Sequence, residues 1–410
     1  MDTGKQRPHG KVRAVAALTV AELLAMALWF SATAVAPQLR EELALTPGQV
    51  GWLTASVQLG FVVGALTSAL LTLADRVSAQ RLFALSAVVG ALLNAAIVVA
   101  APSVAAVLTL RFLTGATLAG VYPVGMKLIA SWCVRDRGFC VGLLVGALAV
   151  GSASPHLMGA FLLGPESTTD WRSVVLAASA SALAAALIVA VLVRPGPAFG
   201  ASAPFRWGQV TVALRDRGVR LANFGYLGHM WELYAMWAWV PVFLVQSYAQ
   251  AGWPEGAARL SAFGVIAVGG LGSVWAGRLA DRHGRTAVTI ASLATSGACA
   301  AVTGSLFAVP WAATAVALVW GFAVVADSAQ YSSAVSELSD QRYVGTALTL
   351  QTALGFLLTL ASIRLTGTLA DQAGWALAFL VLVPGPLFGV WSMLRLRYTP
   401  EAARMAGGRR

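Results

Sequence analysis

The chain has 410 residues, 58% of them hydrophobic and only 11% charged, with a mean hydropathy of +0.75, a net charge of +11 and a pI near 10.3. Soluble domains carry charge on about a quarter of their residues, so a water-soluble globular fold is excluded for want of polar surface. A bilayer core about 30 Å thick is crossed by about 20 apolar residues in a helix, whose backbone groups pair internally.

Apolar runs fall at 14–36, 49–73, 82–100, 104–130, 138–163, 173–193, 221–246, 257–279, 287–308, 310–333, 344–368 and 374–394, which predicts twelve helical spans. Connections are short except for Arg194 to Arg220, which holds Pro195, Pro197, Pro204 and five arginines. That segment reads as a linker, giving a first half over 1–193, a linker over 194–220 and a second half over 221–410.

Orientation follows the placement of Lys and Arg. With the N-terminus in the cytoplasm, 22 of the 28 fall in alternate, cytoplasmic segments. Both termini are thus expected to be cytoplasmic in a multi-pass inner-membrane protein. The basic balance is explained by this sorting, and nucleic-acid binding, which needs a basic patch on a soluble face, is not expected. The basic start, apolar run and Ala34-Val35-Ala36 have the cadence of a cleaved signal, but Pro37 follows and loss of a span would spoil the even count. Cys133, Cys140 and Cys299 show no disulfide or metal-ligand spacing and read as packing residues.

The halves repeat. Leu73-Ala74-Asp75-Arg76 and Leu279-Ala280-Asp281-Arg282 each follow the second span of their half. Glu22-Leu23-Leu24-Ala25-Met26-Ala27-Leu28-Trp29 and Glu232-Leu233-Tyr234-Ala235-Met236-Trp237-Ala238-Trp239 agree at five of eight positions. Gly277-Arg278-Leu279-Ala280-Asp281-Arg282-His283-Gly284-Arg285 concentrates charge in an apolar chain. It resembles the signature loop between the second and third helices of each half of major facilitator superfamily transporters. Gly277, Asp281, Arg282, Gly284 and Arg285 fit that pattern. The first copy keeps Asp75 and Arg76 but has Leu71 and Ser78 for its glycines.

The resemblance covers essentially the whole chain. It implies an all-α integral membrane protein with twelve transmembrane helices in two pseudo-symmetric six-helix bundles, and these loop residues as gating contacts. Asp75 and Asp281 at helix ends are expected to bind a neighbouring helix N-terminus or an arginine across the halves. The plainer reading, applied above all to Arg76 and Arg278, is turn anchoring and charge bias.

Ionisable groups inside spans are costly and usually functional. Glu22 and Glu232, duplicated in the first span of each half, are expected to face one cavity, and a desolvated carboxyl there suits a proton carrier. His229, three residues before Glu232, shares its face. The alternative makes each glutamate a static partner of Arg111 or Lys127. A metal at His229 and Glu232 lacks further ligands, and neither metal nor other cofactor is expected. Arg111 with Gly115 resembles the Arg-x-x-x-Gly pattern of the superfamily's fourth helix, where the arginine is tied to proton coupling. It is a candidate for an anionic solute, or equally a structural ion pair.

Asp327 opens the polar intramembrane run Asp327-Ser328-Ala329-Gln330-Tyr331-Ser332-Ser333, which should line the cavity. Its counterpart lies near Tyr122-Pro123, an expected kink and aromatic wall. Lys127, His156, Tyr234, Trp237, Gln330, Gln351 and Arg364 complete the solute-binding candidates. The glycine-rich fifth span from Gly142 to His156 resembles the superfamily's antiporter signature but has Ser154 before Pro155 where glycine is expected.

No Gly-x-x-x-x-Gly-Lys-Ser/Thr loop is present, so a nucleotide-driven pump is not expected, and the chain does not read as an enzyme. The expected function is a monomeric secondary transporter taking up a small organic solute with protons. Arg111, Lys127 and Arg364 tilt the solute toward an anion. The alternatives are a proton antiporter exporting lipophilic or cationic compounds, and a non-transporting receptor or sensor, for which the tails and linker offer no output domain.

Overall fold

Three of the spanning helices start where the sequence supplies a side-chain cap. In a computed structural model that describes residues 8–71, 73–100, 103–133, 137–163, 170–199, 215–340 and 344–409, Thr46 and Gln49 form a reciprocal capping box ahead of Pro47, Ser103 accepts from the Ala106 N–H, and Asp216 accepts from the Val219 N–H. Each satisfies amide groups that a helix N-terminus leaves open.

The spanning helices are α1 (Pro8–Phe30), α2 (Pro47–Leu70), α3 (Ala79–Ala100), α4 (Val104–Leu118, then Tyr122–Trp132), α5 (Arg137–Leu162), α6 (Arg172–Leu192), α7 (Arg217–Gln250), α8 (Glu255–His283), α9 (Arg285–Thr303), α10 (Pro310–Ala326, then Ser328–Leu338), α11 (Val344–Ala373) and α12 (Trp375–Leu380, then Pro384–Arg397). Eleven are long and apolar enough to cross a membrane. The other, α7, has 34 residues; its length suffices at about 1.5 Å per residue, and its apolar character is diluted by His229, Glu232 and its tyrosines and tryptophans. It starts a turn before the expected boundary at 221. Of the expected linker, 200–214 lies outside the described residues.

The packing is duplicated. α1 packs on α5 and α6, α3 on α6 and α4, and α2 on α4; correspondingly α7 packs on α11 and α12, α9 on α12 and α10, and α8 on α10. The two six-helix bundles meet along α5–α8 and α2–α11, themselves equivalent under the duplication. At α5–α8 the backbones approach so closely that a Cβ on Gly146 would lie 3.0 Å from the Gly270 carbonyl oxygen, and one on Gly142 would lie 3.2 Å from that of Ser273. Here the fifth-span glycines serve close helix approach. Outward-facing Val99, Phe161 and Leu271 are exposed apolar side chains, as a lipid-facing surface requires.

Gly284, at φ 91°, makes the α8–α9 turn and explains the second glycine of the signature loop. The tail folds back over this end of the molecule: Arg409 donates to the Asp281 carbonyl, and Arg404 to that of Leu338. One expectation is corrected. Cys133 and Cys140 are joined in a disulfide that closes the α4–α5 connection, while Cys299 is free and buried. The spacing looked uninformative because the pair serves a local loop rather than a framework.

Candidate solute and proton site

α4 and α10 break at matching depths. Pro123 has no N–H to give and crowds the carbonyl of residue 119, and α4 stops at Leu118 and restarts at Tyr122. α10 stops at Ala326 and restarts at Ser328, with Asp327 in the break. Irregular backbone at membrane depth is tolerated where it is buried in protein, and here it carries the polar run that the sequence singled out.

Asp327 is buried, its Oδ1 lying 2.9 Å from His229 Nδ1. The Tyr331 hydroxyl donates to Oδ2 at 2.7 Å, and Ser328 Oγ lies 2.9 Å from His229 Nε2. One turn along α7, Glu232 accepts from Trp320 Nε1 at 2.7 Å and Ser296 Oγ at 2.8 Å. Trp320 and Ser296 were not among the expected residues, and no sequence signal marks them. Toward the end bearing the termini, Gln330 accepts from Arg285 Nη1 at 2.9 Å, and Arg285 grips Glu337 with Nε at 2.8 Å and Nη2 at 2.5 Å.

Glu22 differs from its duplicate. It is fully buried, and neither carboxyl oxygen has a hydrogen-bond partner. The group sits against Gly125, whose added Cβ would lie 2.6 Å from Oε2, and near Phe83. The partners of Glu232 have no equivalents here: at the step of 206 separating Asp75 from Asp281, Ser296 maps to Gly90 and Trp320 to Thr114.

Between the halves, rings from both sides interlock. Trp29 lies 5.1 Å from Phe61, 5.7 Å from Tyr234 and 5.6 Å from Phe356, and Phe61 lies 4.8 Å from Phe356. Trp237 meets Tyr234 at 5.5 Å and Phe30 at 6.0 Å. The indole N–H groups of Trp29 and Trp237 and the Gln58 amide nitrogen are buried without partners. Gln58 accepts from Thr359 across α2–α11. Buried polar atoms are nearly always paired, so these idle donors make the ring cluster a candidate site.

Other candidates lie elsewhere. Arg111 is fully buried and gives its hydrogens to the carbonyls of Leu53 at 3.1 Å and Leu28 at 2.9 Å, to the Trp29 carbonyl, and to Ser31 Oγ at 3.0 Å. It ties the end of α1 to α2 and faces no carboxylate among these contacts, so the alternative reading of an ion pair between Arg111 and a glutamate is not met. Lys127 lies 4.9 Å over the Phe199 ring near the linker. Tyr122 starts the second segment of α4 and is half-buried. Gln351 donates to Asn223 at 3.0 Å. His156 is buried with Nε2 unpaired and shares a small cavity with Arg259, which donates across the halves to the Ala34 carbonyl at 2.9 Å. Arg364 lines a separate cavity between α2 and α11.

In the signature loop, Asp281 and Arg282 are exposed and Gly277 is buried in α8. The cross-half contact is made by Arg278, whose guanidinium stands 4.7 Å over the Phe139 ring of α5. Arg76 ends the short helix Leu73–Arg76, and the side chain of Asp75 lies outside the described residues. Among the described residues, no group of three or more His, Cys, Asp and Glu is placed to hold a metal ion.

Residues 18–362 match the family model described as Major Facilitator Superfamily. The chain belongs to the major facilitator superfamily. Among curated proteins it resembles the niacin transporter NiaP of Acinetobacter baylyi, 33% identical over 133 residues; the match spans 30% of each chain. Among solved structures, a bacterial homologue of the human lysosomal transporter Spinster, in an inward-facing and unoccupied conformation, superposes with TM-score 0.72 at 16% identity, covering 96% of this chain and 100% of that one. The proton:xylose symporter XylE gives TM-score 0.70 at 15% identity, covering 95% and 96%. The nucleoside transporter NupG gives 0.68 at 14%, covering 93% and 99%. Such likenesses establish a shared fold, that of a multi-pass membrane protein of the superfamily.

Proposed function

We propose that this transporter takes up a small, planar organic solute together with protons, through a site between the halves. The observation that carries the reading is Glu22, fully buried with both oxygens unpaired and two helical turns from Trp29, hence on the same face. An unpaired carboxylate so buried costs several kcal/mol, so Glu22 holds a proton or meets a polar group of the solute. Trp29, Phe61, Tyr234, Phe356 and Trp237 stack on the ring, and the idle indole and amide donors address its polar edge. Glu232, with Asp327 and His229 beside it, supplies the second proton site.

The anion preference is not carried forward, because the Arg111 guanidinium is taken up by the Leu28, Trp29 and Leu53 carbonyls, Lys127 lies over Phe199 and Arg364 lines a separate cavity. The local likeness to a niacin transporter speaks for a flat heteroaromatic solute. The halves, 1–193 and 221–410, rock about the site as repeat-built transporters do, with the termini in the cytoplasm. Arg278–Phe139 closes the inner end, Asp281 engages the opposite half in the other conformation, and Arg259–Ala34 closes the outer end.

A second reading, export of lipophilic cations by proton antiport, is favoured by the same unpaired Glu22. Uptake into proteoliposomes with an acidic exterior and, separately, with an acidic interior, using labelled niacin, other aromatic acids and a lipophilic cation, tests both. Accumulation of a planar solute driven by inward protons supports the first reading, and accumulation of the cation driven by outward protons overturns it in favour of the second.

A further inference from the structure

Between the ends of α2 and α11 farthest from the chain termini lies a cavity of about 280 Å³, lined by Gly48, Gly51, Trp52, Trp239, Arg364 and Asp371 among others. Trp239 fills its inner side and donates to the Ile363 carbonyl at 2.8 Å. Gly367 leaves room for that indole, since a Cβ there would come within 2.2 Å of the ring. The mouth carries charge: Arg364 and Asp371 are both exposed, and among the described residues neither side chain makes an ion pair or hydrogen bond. Arg364 Nη1 stands 4.0 Å from where a Cβ on Gly48 would be, over the first turn of α2.

We propose that this cleft holds the headgroup of an amine-bearing zwitterionic phospholipid from the surrounding leaflet. The order of charges along the membrane normal is what selects it. Asp371 follows Arg364 by two helical turns, about 10 Å farther out at 1.5 Å per residue, and Arg364 shortens that gap by reaching outward. The cation is therefore deeper and the anion shallower, which matches a headgroup whose phosphate lies below its ammonium. An exposed arginine in the outer part of a span is costly without a counter-charge. Phosphate supplies it with the bidentate geometry that guanidinium favours, and the helix N-terminus at Gly48 adds to the attraction. The carboxylate of Asp371 accepts from the ammonium N–H groups, which a choline headgroup lacks. Trp52 flanks the site as interfacial tryptophans do, and Leu360, Ile363 and Trp239 take the upper acyl chain. Because α2 and α11 belong to opposite halves, a lipid seated here bridges both.

Native mass spectrometry of the full chain, exchanged into mixed micelles with palmitoyl-oleoyl phosphatidylethanolamine, phosphatidylcholine or phosphatidylglycerol, tests this. Retention of one phosphatidylethanolamine per chain is expected, with affinity about tenfold above the other two, the scale of one charge-assisted contact. Arg364→Gln should lower affinity for all three lipids about tenfold, while Asp371→Asn should remove only the preference for the amine. Arg81→Gln, an exposed arginine at the other end of the bundle, is the control. Equal retention of all three lipids with no effect of Asp371→Asn would overturn the assignment. Equal affinity for glycerophosphoethanolamine alone would overturn a lipid as the occupant.

Discussion

His229 on α7 and Asp327 in the break of α10 approach to 2.9 Å at Nδ1 and Oδ1, both side chains buried. A buried pair of this kind is balanced as a unit, and removing one member strands the other. His229→Gln and Asp327→Asn are each expected to destabilise the protein by about 3–5 kcal/mol. The double variant should lose less than the sum. Thermal unfolding of the three variants measures this, and strict additivity would rule out the pairing.

Glu22→Gln and Glu232→Gln should behave differently. Glu22 has no partner to lose, so Glu22→Gln is expected to be neutral or stabilising by about 1 kcal/mol. Glu232→Gln replaces an oxygen that accepts from Trp320 or Ser296 and should cost about 1–3 kcal/mol. Equal melting shifts for the two variants would contradict the asymmetry.

Arg111→Leu leaves the carbonyls of Leu53, Leu28 and Trp29 without their guanidinium donor and should cost about 2–5 kcal/mol. Arg111→Lys should recover little, because one ammonium cannot reproduce the planar fork. If Arg111→Lys is as stable as the parent but binds solute more weakly, the residue addresses solute rather than structure.

These contrasts mark how much was legible in the sequence. The duplication was open to view in the repeated Glu-Leu-x-Ala-Met and Leu-Ala-Asp-Arg stretches, and the α4 break in Pro123, whereas the polar run from Asp327 was legible as a polar run and its break in α10 was not. The fate of Arg111 was hidden, because backbone carbonyls are its partners and any sequence supplies those. Trp320 and Ser296 looked like ordinary apolar-span residues, and only three-dimensional packing brings them to Glu232. The signature loop pointed to a gate, yet the structure gives the cross-half contact to Arg278 through a ring on α5, a partner with no charge to advertise it.

At the end of the molecule away from the termini, Glu42 accepts from Trp171 Nε1 at 2.6 Å and pairs with Arg172 at 2.5 Å. The Trp171 hydrogen bond, then the Arg172 bond, hold its carboxyl below the usual value. A depressed carboxyl stabilises the fold fully above its unfolded value of about 4.3. That contribution fades as pH falls through the lower folded value. Glu42→Gln should flatten the acid limb of a melting-temperature profile below about pH 4.3, and an unchanged limb would remove Glu42 as its source.

Maleimide labelling of denatured protein should modify Cys299 alone before reduction, and Cys133 and Cys140 as well afterwards. Labelling of all three without reductant would show that the α4–α5 pair is open in the native membrane.

Proton coupling at Glu232 is tested most directly by solute accumulation in proteoliposomes under an imposed inward pH gradient, with counterflow measured at equal pH. Glu232→Gln should abolish accumulation while leaving counterflow within about twofold of the parent, the signature of uncoupling rather than lost binding. Accumulation at the parent level by Glu232→Gln would contradict it.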